Sequence, residues 1–459
     1  MHSSRHRLNF EEHRILFDPI QNPRRGISIF MGILLAITAW GGFCYILQWR
    51  YGLGASGLNQ PVLWGFYITN FVFFIGISHA GTLISAILRM AKAEWRRPIT
   101  RMAEVITVAV LYIGAANIIF DLGRPERAFF LFLYGRYQSP LLWDASSITA
   151  YLTASSVFLY LPLIPDIAIL RDRFADRKWL HRFYQVFSFG WDGSPRQQKV
   201  LNIGITIMSV VVIPIAVSVH TVISYIFSMT LQPMWHSTIF GPYFVCGAIF
   251  SGIAALIVMM VVLRKIYHLE PYLKPIHFNY LGILLLVMSL LWFYFTFSEY
   301  LTGFFGHEPT EMRVFWSKVT GTYAPYFWTM VFFNFVVPVL ILSFRRMRTI
   351  GGVLVASISV LAGMWLERFT IIVPTLANPR LPFPSGIYFP TWIEWGLMLG
   401  SFSFFVFLYL LFSRFFPIIS IWEIEEGREV GLEEVEERIR SYLPETAGTF
   451  NSREKERST

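Results

Sequence analysis

The side chains best able to do chemistry in this sequence sit where they are costly to keep. His79 lies in NQPVLWGFYITNFVFFIGISHAGTLISAILRM (residues 59–90), a stretch with no formal charge from Pro61 to Leu88. That is long enough to cross the apolar layer of a bilayer. An imidazole at that depth must face protein or a water-filled pocket. Its neighbours Ser78, Ala80 and Gly81 let another helix or a flat ligand approach the backbone. A neutral ring there accepts and donates hydrogen bonds and exchanges protons near neutral pH. Other polar groups share this setting: Asp121 in DLGRP, Asp144 in SPLLWD, His220 in PIAVSVHTVIS behind Pro214, Glu299 in FSEYLTGFFG, and the adjacent Glu367 and Arg368 in GMWLERF.

The chemistry this set suits is quinol oxidation. Two protons leave with two electrons, so each hydroxyl needs a group that holds it and takes its proton. His79 is the expected acceptor, with Asp121 or Asp144 passing protons to external water and His220 as a second pocket wall. Each group also has a structural reading. His79 or His220 could bond a neighbouring helix, Asp121 could pair with Arg124 or Arg127, and Asp144 could cap its helix. Glu367 and Arg368 are expected to satisfy one another. Glu299 could start a proton path or make a structural bond, and Glu104 is expected to pair with Arg101. A haem held by His79 and His220 is the competing use. His236, His277 and His307 lie at span edges, so the array for two bis-His haems is missing. Cys44 and Cys246 are the only cysteines, both in apolar segments without CxxC spacing. A cysteine-ligated zinc or iron–sulfur site is thereby excluded, leaving a disulfide or two buried thiols.

The elements that must carry these groups follow from composition. Hydrophobic residues are 55% and charged residues 15% of the chain, which fits an all-α polytopic membrane protein and not a soluble one. The net charge of +9 does not point to nucleic acid, because the basic residues sit in short tracts beside apolar spans. Ten spans are expected, near 27–49, 61–89, 99–120, 140–163, 199–228, 238–263, 277–304, 324–344, 350–373 and 387–416. Arg and Lys concentrate on the N-terminal side of these spans, so both termini should be cytoplasmic. Residues 1–26 form a basic tail without a signal-peptide core, 27–416 the membrane domain, and 417–459 an acidic tail. In that tail Ile424, Val430, Leu432, Val435 and Ile439 could line one helical face. Residues 165–199 should hold an interfacial helix. Trp64, Gly76 and Gly81 recur at the same offsets as Trp235, Gly247 and Gly252. This suggests two four-helix bundles, 61–228 (spans 2–5, with the quinol site) and 238–373 (spans 6–9), with spans 1 and 10 outside.

At these residues the chain resembles the NrfD/PsrC family of integral membrane quinone-reactive subunits. The resemblance rests on the segment around SHAGT, GRPERAFF, SPLLWD, PIAVSVHTVISYIF with MWHSTIFGPYFVCGAIFSG, and WLERF, and runs from about Asn59 to Arg414. Within the family it is nearest to the ActC subunits of bacterial alternative complex III. It implies a ten-helix subunit of the bacterial inner membrane with no haem, metal or iron–sulfur cluster of its own, oxidising menaquinol near the periplasmic face. It implies His79, Asp121 and Asp144 as catalytic groups, His79, His220 and Arg124 as quinol-binding groups, and Glu299, Glu367 and Arg368 as a proton path. The implied partners are a periplasmic iron–sulfur subunit of ferredoxin-like or molybdoenzyme-like type, multihaem cytochromes c, a second homologous membrane subunit and a terminal oxidase. The alternatives are the membrane anchor of a molybdenum-enzyme complex and, from another class, a secondary transporter. The transporter reading calls for half-broken helices, of which Pro214 and Pro338 offer little.

Overall fold

In hydrocarbon every backbone N–H and C=O must be satisfied within the chain, and long apolar segments do this as helices. The computed structural model describes residues 14–427 except 23 and 385. The membrane helices are α1 (Arg25–Tyr51), α2 (Phe66–Met90), α3 (Arg97–Asp121), α4 (Pro140–Tyr160), α5 (Pro195–Ser228), α6 (Phe240–Ile266), α7 (Pro275–Gly306), α8 (Ala324–Ser343), α9 (Ile350–Ala377) and α10 (Trp392–Phe415). Nine are long and apolar enough to cross a membrane by themselves. The other, α4, qualifies together with Leu163–Arg173, from which it is bent by 47°. Among the described residues there is no strand. Prolines open α4, α5 and α7, where the missing N–H has no intrahelical partner to lose. A Thr391–Glu394 capping box opens α10.

Burial ranks the helices. The apolar window of α2 is 88% buried and that of α6 78%, against 17% for α1, so α2 and α6 form the centre and α1 faces lipid. Around α2 pack α3, α6, α9 and α10. Around α6 pack α5, α7 and α9, while α4 lies between α3 and α5 and α1 lies along α10. The two ends of the molecule are distinct. The N-terminal face holds the helix Arg14–Gln21, the helix Lys178–Phe187 and the segment after α10, and the opposite face holds the helix Pro309–Val319. Of the apolar face expected in the acidic tail, Val430, Leu432, Val435 and Ile439 lie outside the described residues. Both cysteines are free and buried.

The crossing of α2 and α6 fixes the centre. Trp64 stacks on Trp235 with ring centroids 6.2 Å apart. Further along, Gly76 faces Ala248 and Ser251, and Gly252 faces Ala80 and the His79 carbonyl carbon. Small residues on both helices thus bring the two backbones together beside His79. A methyl group on Gly252 would stand 2.7 Å from the Ala80 nitrogen, which is backbone and cannot swing away. Gly252→Ala is therefore expected to cost about 1–3 kcal/mol, as overpacking does. Thermal unfolding of the purified protein should show a lowered Tm. Gly42→Ala, where nothing lies within 4 Å, should leave it unchanged.

Candidate functional site

His79 sits at a local change of helix type. Immediately after it, Thr82–Ile87 forms a π-turn, a feature that frees backbone groups and often marks functional positions. Side-chain hydroxyls from the neighbouring helices brace the turn. Thr107 of α3 donates to the Ser78 carbonyl at 2.6 Å and accepts from the Gly81 N–H at 2.9 Å. The Tyr151 hydroxyl of α4 also donates to the Ser78 carbonyl, at 3.0 Å, and shares a bond with Thr82 at 2.8 Å.

The braced turn aims His79 at α5. Its ring meets His220 edge-on, with centroids 4.0 Å apart and planes at 81°, and Tyr151 lies at 6.0 Å. His79 is 2% exposed and His220 is fully buried. None of the four ring nitrogens closes a hydrogen bond of good geometry, although the Ala216 carbonyl faces both rings. Buried polar side chains are normally satisfied. Orphans left on two touching rings therefore stand out as groups kept for another partner. The rings are in van der Waals contact, so as arranged they do not clamp a haem between them. Among the described residues no three His, Cys, Asp or Glu side chains gather to hold a metal ion.

The row continues into the second set of helices. Arg368 of α9 lies within electrostatic reach of His220. Its guanidinium crosses α6 where Gly247 has no side chain, rests 4.7 Å from the Phe244 ring centroid and pairs with Glu367 at 3.2 Å. Glu367 is fully buried and accepts from the Trp292 indole at 2.7 Å. It lines a small cavity of about 20 Å³ in which Tyr243, Tyr300, Glu299 and Lys318 stand among largely apolar walls. Glu299 also lines a second cavity, of about 290 Å³, with His236, Ser237, Thr238 and Glu311 at the opposite face.

His79, His220, Arg368 and Glu367 therefore form one row across the helices, and the small cavity continues it to Glu299 toward the opposite face. The two aspartates stand apart from it. Thr107 is level with Ser78, and Asp121 lies fourteen residues further along α3, roughly 21 Å at helical rise. Asp121 sits instead near Tyr67 and Glu394. Asp144 lies seven residues before Tyr151 on α4, roughly 10 Å away. It does not cap that helix, which starts at Pro140 after Ser139, and its Oδ1 is buried without a partner. Arg124 is exposed beyond the end of α3. The expected Glu104–Arg101 pair is replaced: Ser85 in the π-turn donates to Glu104, while Arg101 pairs with Asp166. A carboxylate sixty-five residues away wins because the bend after α4 carries it into the helix interface.

Comparison with known proteins adds to this geometry. A family model described as polysulphide reductase, NrfD, matches residues 54–379. A putative dimethyl sulfoxide reductase membrane subunit from Halobacterium salinarum is 24% identical over 233 residues, 50% of this chain and 51% of that protein. The chain thus spans about half the length of that relative. An Hdr-like menaquinol oxidoreductase integral membrane subunit from Archaeoglobus fulgidus is 23% identical over 417 residues, covering 86% of this chain and 94% of its own. A selenate reductase subunit from Mesobacillus selenatarsenatis is 22% identical over 416 residues, covering 86% and 95%.

Proposed function

Since the chain belongs to the NrfD polysulphide reductase family, we propose that it is the quinol-oxidising membrane subunit of an electron-transfer complex in a bacterial cytoplasmic membrane. The observation that carries this reading is the contact of His79 and His220 with no ring nitrogen of either in a hydrogen bond of good geometry. A quinol ring that reaches this pair would find an imidazole to accept from each hydroxyl, with Tyr151 beside them. The menaquinol named for the Archaeoglobus relative supports that substrate. Protons taken by the pair would leave along Arg368, Glu367 and Glu299 to the opposite face, which this reading makes periplasmic. Asp121 and Asp144, both near that face, would serve the water outside it. Electrons would pass to an extrinsic iron–sulfur subunit docked there and on to multihaem cytochromes, in an assembly of the alternative complex III type with a second membrane subunit of this family and a terminal oxidase. The reductase names of the other two relatives favour a second reading, the membrane anchor of a molybdenum-enzyme complex.

The test is an inventory of the native complex with its optical spectrum. The chain should co-isolate with iron–sulfur and haem subunits, and added menaquinol should reduce them. Molybdenum in place of haem favours the anchor. A chain that isolates without redox partners and carries a solute into liposomes contradicts both.

A further inference from the structure

Lys318 is placed unlike an ordinary surface lysine. It sits in the helix Pro309–Val319 at the opposite face, yet it is only 4% exposed. It lines the small cavity between Glu367 and Glu299, with its Nζ 6.0 Å from the Tyr300 ring centroid. A cavity of about 20 Å³ exceeds what one water needs, and this one offers that water several polar partners. The groups around the amine can be named element by element. From α7 come Glu299 and Tyr300, from α6 Tyr243, from α9 Glu367 and Thr370, and from α8 Met330. Tyr323 lies in the turn before α8, and Glu311 and His236 line the outer chamber beyond Glu299. Burial pushes the Lys318 ammonium down to about 8, with Glu299 pulling the other way. Burial, and then Glu308, pushes the Glu311 carboxyl up.

We propose that Lys318 is a proton-carrying gate between Glu367 and the outer chamber. As a neutral amine it takes a proton from the water of the small cavity, which is restored by a proton from the Glu367 carboxyl on the same cavity. As an ammonium it gives that proton, through the same cavity water, to the Glu299 carboxylate, which releases it into the outer chamber. The proton count balances at each step, and the lysine returns to its starting state. This proposal rests on the reading that protons leave the buried row through Glu367 and Glu299. It adds the group that makes the passage depend on pH: below about 8 the amine is already loaded, and above it the amine is free to accept.

The experiment uses the whole complex and follows quinol-dependent electron transfer over roughly pH 6 to 10 in Lys318→Arg and Lys318→Met. Arginine keeps the charge but cannot release its proton in this range. The wild type should show a bend near pH 8. Both variants should assemble, lose that bend and fall about a hundredfold in rate. An arginine variant that keeps the wild-type rate and bend reduces Lys318 to a counter-charge for Glu299 and overturns the proposal, as do two unchanged variants. If the lysine variants do not assemble, Glu299→Gln decides: loss of the bend supports the gate, and its retention overturns it. A wild-type complex that oxidises no quinol fails the underlying reading, whereas an active wild type with an active arginine variant fails the gate alone.

Discussion

Replacing His79 with alanine should lower quinol-dependent electron transfer by about two to four orders of magnitude, the usual worth of a positioned proton acceptor, while the complex still assembles. Assembly should survive because the ring makes no hydrogen bond that the fold relies on. The turn that carries it is held by Thr107 and Tyr151 through backbone atoms of Ser78 and Gly81, which the substitution leaves alone. His79→Gln refines the result, since an amide can hold a hydroxyl but cannot take up its proton. Glutamine should therefore be nearly as slow as alanine. Because His79 and His220 touch, the double alanine variant should be little slower than the worse single one, as groups acting as a unit are not additive. Stopped-flow reduction of the redox partners by menaquinol gives the rates, and the yield of intact complex gives assembly. Wild-type turnover in His79→Ala would remove the ring from the mechanism.

The membrane helices were legible in the sequence for a simple reason. An apolar run of bilayer length has few ways to satisfy its backbone, and composition alone marks it. His79, His220, Glu367 and Arg368 were equally conspicuous, because each is a polar side chain set in such a run. Their joining into a row was not readable. It depends on Gly247 and Gly252 letting Arg368 and the α2 backbone approach α6, and a glycine in a membrane helix has many other uses. Tyr151 and Thr107 passed unnoticed because hydroxyl side chains in apolar helices ordinarily bond their own preceding turn. What singles them out is the carbonyl of Ser78, from a helix 29 and 73 residues away in sequence. Lys318 carries no signal in the sequence, because it lies in a short polar helix outside the apolar runs, and only the fold puts it on the same cavity as Glu299. Glu394 could have been found: Thr391 three residues before it, at the edge of an apolar run, is a capping box. The structure shows the carboxylate also accepting from the Gly57 N–H and the Tyr388 hydroxyl. The distance of Asp121 and Asp144 from His79 was not readable either, since positions close to a span end need not be close to its middle.

The largest stability effect is expected at the N-terminal face, where the chain after α10 is tied down by charge. Asp166 is fully buried and accepts from Arg101 and from the N–H groups of Ile421 and Trp422 at 3.2 and 3.0 Å. Arg101, 1% exposed, also donates to the Pro162 carbonyl at 2.8 Å and to Ser420 at 3.1 Å. Glu423 then pairs with Arg89 and Arg96. Asp166→Ala removes one acceptor from three donors and leaves a buried guanidinium without its counter-charge, which costs about 3–5 kcal/mol. The Tm of the purified protein should fall, and proteolysis should cut near residues 417–427 where the wild type resists. Removing both charges is expected to be milder than removing one. Asp166→Ala with Arg101→Met should recover part of the loss, because no buried ion is then stranded. A single variant with unchanged Tm and unchanged cleavage would mean that apolar packing of Ile418, Ile419 and Ile421, all buried, holds this segment without the ion pair.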